Sequence, residues 1–155
     1  MTPRHFAAHV PARPASSLDL SPVVLLAEND GTLRDLLQET LELDGFRVLI
    51  ASNGEEALAL AASWMPDLLV TDVAMPRLDG FGLIREIRRL YPGVPVIVTS
   101  GDPFYGEHPL AAVAAELDVE ATLLKPFDLG DLSLAARKAV PLRAEPSPVP
   151  SRLVA

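Results

Sequence analysis

The strongest constraint on the fold is an alternation, repeated five times, between a short apolar run and a segment with helical spacing. Val23 to Ala27 is continuously apolar, as expected of a strand buried on both faces. A helix is predicted from about Gly31 to Asp44, with Leu33, Leu36, Leu37, Thr40 and Leu41 on one face and Gly45 as the stop signal. Phe46 to Ala51 reads as the second strand, and Asn53-Gly54 turns the chain into a helix from about Glu55 to Trp64, stopped by Pro66. Leu68 to Thr71 is the third strand, with the carboxylate of Asp72 where the run stops. Met75-Pro76 and Asp79-Gly80 then break the chain before a helix from Phe81 to Leu90. Val94 to Thr99 is the fourth strand, followed by a long polar loop, GDPFYGEH, and a helix from about Pro109 carrying Leu110, Val113, Ala114 and Leu117. Thr122 to Leu124 is the fifth strand and Leu129 to Val140 the last helix.

Strands separated by single helices cannot be joined as hairpins. They form one parallel sheet with right-handed crossovers and helices on both faces, an α/β domain over residues 22–140. Residues 1–21 and 141–155 are rich in proline without periodicity and are expected to be disordered tails. No apolar run approaches the ~18 to 20 residues of a membrane span. The net charge of −8 argues against binding nucleic acid, which needs a basic footprint on the phosphates. The absence of cysteine removes disulfides and thiolate metal sites, and the cytoplasm is the expected compartment.

In open parallel sheets, ligands sit outside the carboxyl ends of the strands. The residues at those ends are Glu28-Asn29-Asp30, Asp72, Ser100-Gly101 and Lys125-Pro126. Carboxylates without cysteine or clustered histidine make a hard, oxygen-rich site that suits Mg²⁺ better than zinc. A carboxylate can accept a phosphoryl group as an acyl phosphate, and the transfer then needs mainly positioning and charge neutralisation. Asp72, Mg²⁺, Lys125 and Ser100 fill those roles. The chain has only two lysines against eleven arginines, so a lysine at this edge favours function over a solvated loop position. The bland alternatives are a strand cap for Asp72, turn chemistry for Ser100 and helix capping for Glu28 and Asp30.

With VVLLAEND, PDLLVTDVAMPRLDG, PVIVTSG and LLKPF in hand, the chain resembles the receiver domain of two-component response regulators over about residues 22–140. The resemblance implies a flavodoxin-like, doubly wound (βα)5 fold with strand order 2-1-3-4-5. It implies that Asp72 accepts a phosphoryl group from a histidine kinase or phosphotransfer protein, with Ser100 the switch hydroxyl and Lys125 the phosphate contact. Glu28 would help to bind Mg²⁺, with the Ala74 backbone carbonyl as a further ligand and the Lys125-Pro126 bond cis. The last two helices and the fifth strand would form the docking or homodimer surface.

Two positions depart from the family. Asn29 stands where the direct acidic metal ligand is expected; its amide oxygen can coordinate Mg²⁺ but removes a negative charge. Thr122 stands where the family often has an aromatic that swings inward when the switch hydroxyl engages, a volume threonine cannot fill. The expected function is a stand-alone receiver, a phosphoacceptor and not a turnover enzyme, acting by phosphorelay or by docking to a downstream protein. The alternative is a pseudo-receiver, an interaction module that has lost phosphorylation. A third reading, an aspartyl-phosphate phosphatase of the haloacid-dehalogenase type, needs a second acid two residues after the nucleophile, where this chain has Ala74.

Overall fold

The structure is a computed structural model that describes residues 20–141. The tails read at residues 1–21 and 141–155 lie, apart from residues 20, 21 and 141, outside the described residues. In chain order the elements are β1 (Val23–Ala27), α1 (Gly31–Leu43), β2 (Arg47–Ala51), α2 (Gly54–Trp64), β3 (Leu68–Asp72) and α3 (Gly80–Leu90). They continue with β4 (Val96–Ser100), β5 (Phe104–Tyr105), β6 (His108–Pro109), α4 (Leu110–Glu116), β7 (Ala121–Leu124) and α5 (Leu129–Ala139).

Five strands pair in parallel in the order β2-β1-β3-β4-β7. This is the expected 2-1-3-4-5 order; the last sheet strand is β7 because the small antiparallel hairpin β5-β6 precedes it. Side chains alternate across the pleat and supply two cores. Leu25, Leu69, Val96 and Val98 pack with Ala57, Leu60, Trp64, Phe81, Ile84 and Ile87 from α2 and α3. On the other face Val24, Leu26, Leu68, Val70 and Ile97 pack with Leu37 and Leu41 of α1 and Leu132 and Ala136 of α5. Burial on both sides explains why β1, β3 and β4 are apolar at every position until their carboxyl ends.

Three of the helices start on side-chain caps, each satisfying an otherwise unpaired backbone N–H of the first turn. Asp30 accepts from the Leu33 N–H, Asn53 from Glu56 and Asp79 from Gly82. Asp30 is therefore a helix cap, as one sequence alternative had it, whereas Glu28 is not a solvated capping group but is buried.

Three local expectations need correction. Leu36 is 45% exposed, because the inward stripe of α1 is centred on Leu37 and Leu41. The fourth strand begins at Val96, two residues late, since Pro95 has no N–H for the ladder. The GDPFYGEH segment is not an unstructured loop: Phe104–Tyr105 pairs with His108–Pro109 around Gly106, whose φ of 61° suits glycine in a tight turn.

Candidate functional site

The site residues are fixed by backbone hydrogen bonds that carry the sheet ladder beyond the strand ends. The Glu28 N–H donates to Ala51 O (3.0 Å), the Val73 N–H to Thr99 O (3.0 Å) and the Lys125 N–H to Ser100 O (2.8 Å). Asp72, last residue of β3, and Glu28, first residue after β1, are thereby held side by side at the same edge of neighbouring strands. Both are buried, at 4% and 1% exposure.

The Lys125 ammonium bridges them. Its Nζ lies 3.1 Å from Glu28 Oε2 and 3.3 Å from Oε1, and 3.3 Å from Asp72 Oδ2. The Val73 N–H donates to Asp72 Oδ1 at 2.9 Å, which leaves Oδ2 facing the lysine. The Lys125-Pro126 bond is cis, as the resemblance implied.

Two carboxylates face one ammonium. Burial raises the Glu28 pKa above the ordinary glutamate value and the neighbouring Asp72 charge raises it further, against the lowering effect of Lys125 and of the Asp30 N–H. An excess of negative charge in a hard-oxygen pocket is chemistry that suits a small divalent cation. Among the described residues, however, no group of three or more His, Cys, Asp or Glu side chains is placed to hold a metal ion. Asn29, where the resemblance led us to expect an acid, is exposed beside Glu28. Ala74, two residues after Asp72, is also exposed.

Ser100 ends β4 at the same edge and is buried. Its Oγ donates to Asp102 O at 2.8 Å and accepts from the Asp102 N–H at 3.1 Å, so the hydroxyl is engaged by its own loop rather than by Asp72. Thr122 lies in β7 opposite Val98 and is half-buried. The fold thus brings Glu28, Asp72 and Lys125 into contact, puts Ser100 at the same edge, and leaves Asn29 and Ala74 at the rim.

The acceptor loop is shaped by close backbone approach. A Cβ on Gly80 would lie 2.1 Å from the Asp72 carbonyl oxygen and 2.8 Å from Val73 Cα. The Gly80 N–H donates to Val73 O at 2.8 Å, closing the turn after Asp72. Sequence reasoning missed two participants. Arg34, one helical turn into α1, donates from its guanidinium to the Glu28 carbonyl at 2.9 Å. Tyr105 donates its hydroxyl to Asp79 Oδ2 at 2.6 Å. The Tyr-Gly-Glu-His run was a readable hairpin signal for the second; nothing in the sequence marked the first.

A family model described as response regulator receiver domain matches residues 24–137. The chain is 37% identical over 125 residues to the response regulator MprA of Mycobacterium avium, covering 79% of this chain and 52% of that protein. It is 34% identical over 122 residues to the C4-dicarboxylate transport transcriptional regulatory protein DctD of Rhizobium meliloti, covering 79% of this chain and 26% of that protein. This chain therefore spans only a quarter to a half of the length of these curated relatives. Among solved structures, a response regulator receiver domain protein of Clostridium thermocellum aligns with a TM-score of 0.70 at 30% identity, covering 77% of this chain and 94% of that one. The signal receiver domain of an HD domain-containing protein from Pseudomonas fluorescens Pf-5 aligns with a TM-score of 0.70 at 32% identity, covering 77% and 94%.

Proposed function

The chain belongs to the response regulator receiver domain family, and from that premise we propose that Asp72 accepts a phosphoryl group from a histidine kinase or histidine phosphotransfer protein. The observation that carries this reading is the buried Glu28–Lys125–Asp72 cluster, in which Asp72 Oδ2 faces an ammonium group at 3.3 Å. Oδ2 attacks the phosphorus of the donor phosphohistidine; the new P–O bond forms as the P–N bond breaks, and the imidazole nitrogen leaves with the electron pair. Lys125 neutralises charge on the transferred group, and Ser100 rotates from Asp102 to donate to a phosphoryl oxygen. Water later attacks the phosphorus; the P–O bond to Asp72 breaks, the carboxylate leaves with the electron pair, and inorganic phosphate is released.

Mg²⁺, when bound by Glu28, Asp72, the Asn29 amide oxygen and the Ala74 carbonyl, supplies the positive charge that the transferred phosphoryl oxygens require. On this reading the chain is a phosphoacceptor that assists its own phosphorylation and dephosphorylation, not a turnover enzyme. It works as a cytoplasmic receiver, by phosphorelay or by docking to a protein partner, without nucleic acid. Among the described residues no helix is long and apolar enough to cross a membrane. The face of α4, β7 and α5 is its docking or homodimer surface.

Asn29 favours one second reading, a pseudo-receiver that binds a partner without phosphorylation. Incubation with acetyl phosphate and Mg²⁺ separates the two. A phosphoryl adduct by intact mass, abolished in Asp72→Asn, is the outcome expected here; an unmodified wild type returns the pseudo-receiver. Ala74 leaves no acid two residues after Asp72, which tells against phosphomonoester turnover.

A further inference from the structure

We propose that Tyr105 couples the position of the Ser100 hydroxyl to the loop that follows Asp72, so that the hairpin β5-β6 registers the state of the site; this rests on the phosphoacceptor reading above. A continuous series of contacts joins the two ends. Ser100 Oγ is held by both the carbonyl and the N–H of Asp102. Asp102 Oδ1 accepts from the Phe104 N–H at 2.9 Å, which starts β5. The next residue, Tyr105, sets its ring edge-on to Phe81, with centroids 4.7 Å apart and planes at 79°. Its hydroxyl donates to Asp79 Oδ2 at 2.6 Å, while the other oxygen of Asp79 caps α3 through the Gly82 N–H at 2.7 Å. Asp79 lies directly before Gly80, the residue packed on the Asp72 carbonyl.

Ser100 carries one hydroxyl proton, so it can donate to a phosphoryl group on Asp72 only by giving up its bond to Asp102 O. That bond helps to hold the loop from which β5 starts, so its loss is felt at Tyr105. The short hydroxyl bond to Asp79 is directional and responds to small displacement. The same bond to Asp79, followed by burial, raises the Tyr105 pKa above the ordinary tyrosine value, with Arg85 acting in the opposite sense.

Fluorine NMR of the full chain labelled with fluorotyrosine tests this, because there are two tyrosines and Tyr105→Phe assigns the pair. Ser100→Ala removes the Asp102 bonds without any phosphoryl group. It is expected to shift the Tyr105 resonance and leave that of Tyr91 in place; an unmoved Tyr105 resonance overturns the coupling. In a second arm, wild type is treated with acetyl phosphate and Mg²⁺ and the adduct is checked by mass. Phosphorylated protein with a shifted Tyr105 resonance supports the proposal, and phosphorylated protein with an unshifted one overturns it. If Ser100→Ala shifts the resonance but no adduct forms, the coupling stands and the phosphoacceptor reading is what fails.

Discussion

Lys125 Nζ lies 3.1 Å from Glu28 Oε2, and it approaches Asp72 slightly less closely, at 3.3 Å. A buried carboxylate pair is tolerated here because one cation serves both. Lys125→Met removes that cation while keeping most of the stem volume. Removing one partner of a fully buried pair costs about 3–5 kcal/mol. Lys125 is 24% exposed, so a smaller loss of roughly 1–3 kcal/mol is expected at neutral pH. Denaturant unfolding should show the loss shrinking as pH falls and Glu28 takes up a proton. A loss that does not change with pH would place the contribution of Lys125 in the packing of its stem.

Glu28 itself makes a prediction of opposite sign. Burial, then the Asp72 charge, raises its pKa in the folded chain above 4.5. Between the unfolded and folded values the folded state binds more protons, so stability falls as pH rises through that window. The contribution is most favourable below about 4.5 and is lost above the folded pKa. Glu28→Gln should therefore be more stable than wild type at neutral pH, with the difference vanishing on acidification below the ordinary glutamate value. Unfolding curves at several pH values check this. A variant less stable than wild type at neutral pH would mean that the ionised pair with Lys125 outweighs desolvation.

Gly80 and Gly82 should respond differently to the same substitution. A Cβ on Gly80 meets the backbone of Asp72 and Val73 at 2.1 to 2.9 Å, and that backbone cannot yield without moving the acceptor. Gly80→Ala should cost about 1–3 kcal/mol or more and depress phosphorylation of Asp72 together with stability. A Cβ on Gly82 meets mainly the flexible end of Leu78, at 2.7 Å to Cδ1. Gly82→Ala should be near neutral, the contact offset by a helix-propensity gain of up to about 1 kcal/mol. Equal losses would show that crowding at the start of α3, not the Asp72 contact in particular, governs both positions.

Why some of this was legible in the sequence and some not follows from the range of the interactions. The apolar runs of β1, β3 and β4 are consequences of burial on both faces, so a single strand already reports the sheet around it. Asp72, Glu28, Ser100 and Lys125 were found because a parallel sheet brings strand ends to one edge, a rule that needs topology and no contact map. The choice of partner at that edge was not legible. That Lys125 bridges both carboxylates, that Arg34 reaches the Glu28 carbonyl and that Ser100 turns to Asp102 depend on side-chain rotamers across distant segments. The fourth-strand boundary and Leu36 failed for a different reason: an apolar pattern gives the stripe, but Pro95 and the centring of the buried stripe of α1 on Leu37 and Leu41 decide which residues at its margin are used.

On the phosphoacceptor reading, Asn29 is expected to set how strongly the site attracts a divalent cation. It is exposed beside Glu28, and nothing else among the described residues brings a third carboxylate to Glu28 and Asp72. Asn29→Asp would supply one with little change of volume. The added charge should tighten Mg²⁺ binding by roughly tenfold, about 1.4 kcal/mol, as measured by calorimetric titration of the unphosphorylated protein. In the absence of metal the same charge repels the ionised Glu28 and Asp72 and pushes the Glu28 pKa higher still. The variant should thus be less stable than wild type at neutral pH without Mg²⁺, and gain more in melting temperature when Mg²⁺ is added, since binding to the folded state alone stabilises by mass action. Equal Mg²⁺ affinities in the two proteins would mean that the Asn29 amide serves the metal as well as a carboxylate does. A variant stabilised without metal would mean that attraction of the new charge to Lys125 outweighs its repulsion from Glu28 and Asp72.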